Sequence, residues 1–222
     1  MKRTVIIIIF FLATGILCAQ SDSLILRLGF SGGYGYRLAD PYSGVSEELN
    51  NYISEMKSLF VYGFDLSGYY KWIGAGFNYS RFNTKNNLDS IIVYDEHKNI
   101  VGTGMSDRLN CSFVGAGVYT LFYLTRSHLF AIIPCVSPGL FFYEQQSTRA
   151  GQSFNVTAKP AFGIRAGLSI DYRLSSRFGF NFEAAGFSGS IRKLELNDED
   201  IEKETPESLH RVDFTIGIRF YP

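Results

Sequence analysis

Charged side chains of both signs recur within segments whose other residues are apolar, small or uncharged. A charge buried in such a segment is costly unless a charge of opposite sign lies beside it. We therefore predict an interior network of ion pairs in which Glu183 contacts Arg165, Arg219 or both. Arg173 is a further candidate for pairing. The predicted members of the network are Arg27, Asp65, Arg165, Asp171, Glu183, Asp213 and Arg219.

Few residues offer a route to catalysis. The chain has three histidines. Only His210 has a nucleophile and an acid close by in the sequence, namely Ser208 and Glu207, and a nucleophile must lie within hydrogen-bonding reach of its base. Side chains so close along one strand cannot easily converge, so we predict that the chain is not an enzyme. Catalysis is the weaker alternative.

The acidic stretch 195–204 is the candidate for a metal site. It lacks the central glycine and the spaced ligands of a calcium loop. We therefore predict a solvated surface loop, which could at most hold divalent ions loosely. The sequence also lacks a phosphate-binding loop, a zinc-ligand spacing and a nucleotide fingerprint. We expect no cofactor and no metal.

Two cysteines, Cys111 and Cys135, lie on neighbouring predicted strands whose connecting turn is centred near Arg126. That turn places Cys111 opposite Phe141. It places Cys135 opposite Gly117, so the two thiols are staggered by about six positions, or roughly 20 Å at the rise of a β-strand. This separation is too large for a disulfide. We predict two free thiols.

The first residues have the layout of a secretory signal. A basic start and an apolar run, Val5 to Leu17, precede Ala19, which supplies the small residue before a cleavage site. We predict a signal peptide at 1–19 and one domain at 20–222. Lipidation at Cys18 and an uncleaved anchor are weaker alternatives. No later segment is apolar for long enough to be a transmembrane helix.

Composition restricts the class of protein further. The 222 residues carry 21 Lys and Arg against 21 Asp and Glu, and without the leader the balance is 19 against 21. A nearly neutral chain gives no support for binding to nucleic acid. With 46% hydrophobic residues and no spanning helix, the chain must either bury them in a soluble core or present them to lipid on strands.

Alternation with a period of two runs through the chain. In 24–36 every second residue is apolar or glycine, and the residues between, apart from Ile25, are small or polar, which is typical of a half-buried strand. Two further segments repeat the pattern clearly and five repeat it weakly. The eight predicted strands are 24–36, 59–70, 73–82, 108–123, 129–143, 162–173, 178–189 and 211–221.

The connections alternate between short and long. Such alternation, with an even number of strands, is typical of an outer-membrane barrel, so we predict an all-β, eight-stranded, antiparallel transmembrane β-barrel with up-and-down meander order. The long link after the first strand should contain a helix at 46–57. The second long link should contain a small hairpin at 90–103, and the barrel would have ten strands if that hairpin crossed the membrane. The short links are 71–72, 124–128 and 174–177, and the long ones are 37–58, 83–107, 144–159 and 190–209.

Prolines interrupt one predicted strand. Pro134 and Pro138 lie within 129–143, and each strand of a closed barrel has a neighbour on both sides. Proline has no N–H for the ladder, so it is confined to edges and bulges. We therefore predict a β-bulge near 134–139.

A soluble, lipocalin-like barrel would also alternate, with its apolar face inside. Its outward positions should then carry many lysines, whereas here every lysine after the leader lies in a predicted loop or turn or at a strand end. Aromatic residues near the strand ends favour two girdles at membrane interfaces. The first predicted girdle is Tyr70, Trp72, Tyr123, Tyr172, Phe178, Phe220 and Tyr221, and the second is Tyr34, Tyr36, Phe60, Tyr62, Phe82 and Tyr143.

The leader and the eight alternating strands resemble those of small outer-membrane β-barrel proteins, and in particular the porin-like barrels of Bacteroidetes. In that family the last strand carries a polar residue, a glycine and aromatics that the outer-membrane assembly machinery reads. The resemblance implies an assembly signal at Thr215, Gly217 and Phe220, although Pro222 replaces the final aromatic.

The sequence therefore predicts an integral protein of the cell outer membrane, exported by a cleaved signal peptide. Its expected role is structural, or one of interaction through surface loops, because side chains can fill the lumen of an eight-stranded barrel. A small porin-like channel for solutes is the alternative. An outer-membrane lipid-modifying enzyme and a soluble periplasmic ligand-binding barrel are weaker alternatives. The expected partners are outer-membrane lipids, the assembly machinery and an unidentified envelope or extracellular protein, with the chain itself a monomer.

Overall fold

The structure is a computed structural model, and it describes residues 24–38, 47–94, 100–149, 152–196 and 199–222. Within these ranges it contains one helix and eleven strands. The helix α1 is Glu47–Glu55; the strands are β1 Leu24–Arg37, β2 Ser58–Tyr70, β3 Ile73–Tyr94, β4 Ile100–Thr120, β5 Phe122–Tyr123, β6 Phe130–Arg149, β7 Gln152–Ala158, β8 Ala161–Arg173, β9 Phe178–Leu196, β10 Glu199–Ser208 and β11 Arg211–Phe220.

The eleven described strands form eight walls, because three walls are each interrupted once. The wall β4–β5 is interrupted at Leu121, β7–β8 at 159–160, and β10–β11 at 209–210. All pairs are antiparallel, and the sheet closes where β1 pairs with β11, for example Phe30 with Ile218. The predicted eight-stranded antiparallel barrel is confirmed. No helix of the described part of the chain is long and apolar enough to span a bilayer.

The period-two pattern decides which side chains point outward. On β11, Phe214 and Ile216 are 49% and 68% exposed, whereas Asp213 and Thr215, at the alternate positions, are buried. Successive residues of a strand point to opposite faces, and the small and polar residues take the inward positions. The six residues that the alternation assigns most clearly to the outer face, all of which lie on it, are Leu26, Leu28, Ile164, Leu168, Phe214 and Ile216.

The two ends of the barrel differ. At one end, here called the turn end, neighbouring walls are joined by tight turns at 71–72, 124–129 and 174–177. Lys71 and His128, both in these turns, have positive φ angles of 57° and 56°. Such angles are uncommon outside glycine and asparagine and occur mainly in turns. At the other end, here called the extended end, the walls continue well beyond the predicted strands.

Three of the four segments predicted to be long loops are largely strand. Residues 83–107, 144–159 and 190–209 belong largely to β3, β4, β6, β7, β9 and β10. The physical reason is an apolar interior: Ile191 and Leu194 of β9 are buried beyond the end of the predicted strand 178–189, and the continued walls cover them. The described parts of the acidic stretch, 195–196 and 199–204, belong to the paired strands β9 and β10, whereas the sequence predicts a loop. Residues 197–198 lie outside the described residues.

The two structured links that the sequence predicts are both confirmed. Helix α1 lies within 46–57. The small hairpin appears as the pairing of Ile91 with Thr103 and of Val93 with Val101, and its predicted turn falls outside the described residues. This hairpin is the far end of β3 and β4, offset from the walls by an irregularity between Leu88 and Ile91. It adds no strand to the ring.

The predicted bulge at 134–139 is wrong. The ladder between β4 and β6 passes from Gly115–Gly139 to Val118–Val136 without a change of register. Pro134 and Pro138 keep their places opposite β8. They are four residues apart, so their missing N–H groups point toward the same neighbour. The two prolines therefore remove hydrogen bonds only between β6 and β4, and β6 needs no bulge to accommodate them.

Four glycines lie side by side across four walls and make room for aromatic rings. In the sheet register Gly115 faces Gly139, which faces Gly163, which faces Gly189. A Cβ added at any of the four would come within 3.0 Å of the ring of Phe113 or Phe141. These rings and that of Phe187 contact one another edge to face, with centroids 5.0 to 6.4 Å apart. Small residues on the wall thus allow three large rings to fill the lumen.

The row of four glycines predicts that an added methyl group destabilises the barrel at these positions and not at glycines with free space around them. Gly163→Ala should destabilise the barrel by about 1–3 kcal/mol, because the added methyl overpacks against the buried ring of Phe141. The matched control is Gly186→Ala on β9, where a Cβ would meet nothing within 4 Å. Urea titration of the refolded protein measures both. Equal stability of the two variants would contradict the packing role of the row.

Candidate functional site in the filled interior of the barrel

The interior of the barrel is filled in three layers along its axis. Near the turn end lies an aromatic and aliphatic layer; in the middle lies a charged layer; toward the extended end lies a larger apolar layer. The layer near the turn end contains Tyr69, Tyr119, Leu121, Ala131, Ile133 and Cys135, and the apolar layer includes Val61, Phe82, Leu109, Phe113, Phe141, Tyr143, Phe187, Ile191, Leu194 and Leu209.

Arg27 lies at the centre of the charged layer and is 1% exposed. Its Nε donates to Asp171 Oδ2 at 2.7 Å, and its Nη2 donates to Asp171 Oδ1 at 3.1 Å. Its Nη1 donates to Asp65 Oδ2 at 2.6 Å. Tyr221 and Asn181 add hydrogen bonds to Asp171 at 2.7 and 2.8 Å. A buried guanidinium is therefore held by two carboxylates that are themselves well satisfied, as a buried charge requires.

Glu183 joins two further arginines. Arg165 donates from Nη2 to Glu183 Oε1, and Arg219 Nη2 lies 3.8 Å from Glu183 Oε2. Ser169 donates to the same carboxylate at 2.9 Å, and Arg219 also lies 3.2 Å from Asp65. Among the described residues this layer combines three arginines with three carboxylates, so its formal charge is zero.

The strand register and the lack of a side chain at Gly29 bring the ion pairs of the charged layer together. Gly29 of β1 faces Arg219 of β11 on one side and Asp65 of β2 on the other. A Cβ at Gly29 would collide with the Arg219 guanidinium and with Asp65 Oδ1. The absence of a side chain on β1 therefore lets residues of its two neighbours meet across it. Arg27 and Asp171 are 144 positions apart, and they meet because the barrel closes.

Asp213 does not belong to the charged layer as predicted. It lies nearer the extended end, where its Oδ2 is 3.3 Å from Arg211 Nε and accepts a hydrogen bond from Ser80 at 3.3 Å. Arg211 was missed by the sequence reasoning, although it shares the inward face of β11 with Asp213. Its guanidinium donates to the Cys111 carbonyl at 3.2 Å and lies 4.1 Å from the ring centroid of Phe187.

A small cavity of about 20 Å³ separates the charged layer from the Arg211 pair. Asn78 Oδ1, Asp213 Oδ1 and Thr215 Oγ1 are buried without a hydrogen-bond partner in the described structure, and all three residues line this cavity. Its size and polarity suit a water molecule. The space is too small for an organic ligand.

Arg173, predicted as a further ion-pair candidate, is placed differently. Its guanidinium lies 4.0 Å from the ring centroid of Tyr221 and 5.5 Å from that of Tyr123. Tyr221 is buried at 5% exposure, and Tyr123 packs against the interior layer near the turn end, so both are wrongly assigned to the first predicted girdle. Contact with aromatic faces stabilises Arg173, which has no carboxylate partner among the described residues.

A tyrosine from α1 enters the extended end of the barrel. Tyr52 is 3% exposed, and its hydroxyl donates to Asp107 Oδ2 at 2.8 Å. Burial and the hydrogen bond to Asp107 raise the pKa of the Tyr52 phenol. Ser147 also donates to Asp107, and Asn86 Nδ2 donates to the Tyr52 carbonyl at 3.1 Å. These contacts hold the helix against the mouth of the barrel.

Both cysteines that the structure describes are free and buried, which confirms the predicted pair of free thiols. Their expected neighbours were wrong by two positions, since Cys111 faces Tyr143 and Cys135 faces Tyr119. The error follows from the turn, which extends to residue 129 and shifts the register of β6. The stagger is larger than predicted, which makes a disulfide still less accessible.

The one catalytic arrangement considered from the sequence does not assemble as a triad. Glu207 Oε1 lies 3.2 Å from Arg37 Nη2, so the acid is engaged elsewhere. His210 is exposed, and its backbone N–H, not its ring, donates to Ser208 Oγ at 3.3 Å. No group of three His, Cys, Asp or Glu side chains in the described ranges could hold a metal ion.

The residues of the predicted assembly signal lie on β11, on both faces of the wall. Thr215 and Gly217 point inward, and Thr215 is buried. Phe220 points outward against Phe178, with ring centroids 5.2 Å apart. Their role in assembly stays a prediction.

Every wall exposes large apolar side chains on its outer surface. Aromatic rings near the turn end include Trp72, which stacks on Phe122 at 6.5 Å. Two members of the second predicted girdle are wrong, because Phe82 and Tyr143 face inward and are buried. Examples from all eight walls are Phe30 59%, Phe60 60%, Phe77 63%, Val118 54%, Val136 55%, Phe162 66%, Phe180 54% and Ile216 68%.

Comparison with solved structures identifies similar folds at low sequence identity. The outer-membrane protease OmpT of Escherichia coli is 10% identical with a TM-score of 0.51, over 91% of this chain and 98% of that chain. Neisserial surface protein A is 10% identical with a TM-score of 0.43, over 89% and 96%. The attachment invasion locus protein Ail of Yersinia pestis is 10% identical with a TM-score of 0.42, over 90% and 98%.

No protein-family model and no curated protein matches the sequence. At 10% identity the likeness to OmpT concerns the fold alone. It supports a closed antiparallel β-barrel of the kind found in outer-membrane proteins, and it transfers no activity.

The charged layer predicts strong coupling between its members. Glu183→Gln should destabilise the barrel by about 3–5 kcal/mol, because Arg165 is left buried and uncompensated. Adding Arg165→Met should cost less than the sum of the single losses. Double-mutant cycles on Glu183 with Arg165, and on Glu183 with Arg219→Met, measure this by urea titration. Additive losses in both cycles would remove Glu183 from the network.

Proposed function

We propose that this chain is an integral β-barrel protein of the outer membrane, with a structural or interaction role and no solute channel. The observation that carries the proposal is the outer surface, on which large apolar side chains are exposed on every wall. Soluble monomers rarely expose a contiguous apolar surface of this extent. A barrel has no free edge, so its backbone polar groups are satisfied within a bilayer.

Further parts of the proposal rest on the sequence. The leader at 1–19 would direct export, and Thr215, Gly217 and Phe220 would serve as the signal read by the assembly machinery. The resemblance to the porin-like barrels of Bacteroidetes supports both steps. Tight turns then lie on the periplasmic side and the extended end on the outside, the usual arrangement of such barrels.

The filled interior argues against transport. Three layers of side chains occupy the lumen, and the cavity described among them holds about 20 Å³. An open porin-like channel would require the charged layer to separate, leaving buried charges unpaired. A solute channel is therefore the second candidate, and the structure offers it less support than a closed barrel.

Interaction through the extended end follows from the length of the walls. A membrane-spanning strand needs about 9–11 residues, whereas β3 has 22, β6 has 20 and β9 has 19. About half of each strand would thus project beyond the membrane. A rigid, hydrogen-bonded extension presents a larger and better ordered surface than loops of the same length. We propose that it meets an envelope or extracellular partner, with the barrel itself monomeric.

The outward apolar surface predicts depth-dependent sensitivity to charge. Leu168→Arg should destabilise the membrane-folded barrel by about 2–4 kcal/mol, because the guanidinium would enter the hydrocarbon. The control, Ser190→Arg, lies on the outward face of β9 beyond the apolar residues, so its cost should be about 0–1 kcal/mol. Urea titration in lipid vesicles measures both. Unchanged stability of Leu168→Arg would contradict the assignment of the outer face to lipid.

Location and closure can be tested together. The native chain should fractionate with outer membranes and migrate faster on gels before heating than after it. In planar bilayers it should show no steady large conductance, because side chains fill the lumen. Recovery in the soluble fraction would overturn the membrane assignment. Steady large openings would favour the channel instead.

A further inference from the structure

A group of basic side chains lies on the outer surface of β3 and β4. Arg81, Lys85 and Arg108 occupy outward positions, because Phe82, Thr84 and Leu109 beside them are buried inside. Lys85 and Arg108 are exposed. These three residues, here called the β3–β4 basic site, lie on adjoining strands toward the extended end.

The two exposed members directly oppose each other. In the register of β3 and β4, Lys85 faces Arg108. Like charges directly opposite in a sheet are destabilising. Neither side chain forms an ion pair with another side chain that the structure describes. Glu144, an acid on the outward face of β6, faces Asn110 and accepts a hydrogen bond from Gln146 at 3.1 Å. Among the described side chains the repulsion therefore has no compensating carboxylate.

An unsatisfied donor lies on the same outward face. Arg81 Nε is buried without a hydrogen-bond partner among the described residues, and Arg81 lies four positions before Lys85 on β3. An unpaired buried donor costs free energy, and the arginine side chain offers donors alone.

The site begins where the exposed apolar surface ends. Arg81 faces Tyr62 in the register of β2 and β3, and Tyr62 contacts Tyr79 with ring centroids 6.5 Å apart. On the neighbouring walls Phe142 faces Ser112, one outward position below Asn110. Aromatic rings of this kind mark the level of lipid headgroups.

We propose that the β3–β4 basic site binds a phosphate monoester on the headgroup of a membrane lipid in the leaflet at the extended end. The inference rests on the proposed membrane location. A phosphate bears up to two negative charges and three strong acceptors. It would neutralise Lys85 and Arg108 together, and it would accept from the fork of Arg81. The site's position on the side of the barrel, level with the edge of the apolar surface, favours a lipid over a protein.

The test uses the full mature chain refolded in zwitterionic detergent and titrated with a diphosphorylated glycolipid of the lipid A type, with binding measured by native mass spectrometry. Lys85→Gln with Arg108→Gln should weaken binding at least tenfold. The matched control removes two exposed charges at the turn end, Arg126→Gln with Arg177→Gln, and should stay within twofold of the native chain. Loss of binding in the control alone, or in neither variant, would overturn the proposal.

Thermal unfolding gives a second readout, which general damage to the fold would not reproduce. Without glycolipid, Lys85→Gln with Arg108→Gln should raise the unfolding temperature, because repulsion is relieved. With saturating glycolipid the native chain should be the more stable of the two. A variant that is less stable under both conditions would contradict a site built for an anion.

Competition experiments identify the source of the phosphate, and fractionation distinguishes a failure of this inference from a failure of the proposed membrane location. Inorganic phosphate should compete only at far higher concentrations than the glycolipid, and an acidic peptide should not compete. Equal competition by either would overturn the assignment to a lipid. A chain that fractionates with membranes but binds the glycolipid no better than its variant refutes this inference alone. A soluble native chain refutes the proposed function as well.

Discussion

Electrical balance inside the closed barrel is the constraint on which the rest of the structure depends. Three arginines and three carboxylates share the middle of the lumen among the described residues, and none of them can be removed without leaving a partner buried. Their pairing ties β1, β2, β8, β9 and β11 to one another across the interior as well as around the wall. The ring of backbone hydrogen bonds sets which strands face each other across the lumen, and the ion pairs join both facing and neighbouring strands.

Packing on either side of this layer follows from the same geometry. The lack of a side chain at Gly29 lets Arg219 approach Asp65. The row of four glycines nearer the extended end leaves space for the rings of Phe113 and Phe141. The wall is therefore thin where the lumen is crowded. A soluble barrel with an apolar core would place its charged residues outside. Here large apolar side chains cover the outer surface and the charged layer lies inside, between two apolar layers, as expected when hydrocarbon replaces water as the surrounding medium.

Because side chains fill the lumen, a ligand or partner would bind on the outer surfaces of the barrel. The extended end combines long paired strands, a buried apolar interior and a helix held by Tyr52 and Asp107. Such a projection keeps its shape without a partner, which favours recognition over transport. The basic residues on β3 and β4 occupy the boundary between this projection and the apolar surface. Their charges lie outside the balanced interior and are available to an external ligand.

The sequence by itself determined the number of walls, their direction and the face of most strand residues, because a period of two is a local property of consecutive residues. It also indicated that Arg27, Asp65, Arg165, Asp171, Glu183, Asp213 and Arg219 lie inside. It missed Arg211 and the buried faces of Phe82 and Tyr143, and it ended the walls too early. Those features depend on how far neighbouring strands continue to pair. Only the tertiary structure decided which charges meet, since Arg27 reaches Asp171 across the lumen, and no spacing along the chain encodes a contact made by closure of the ring.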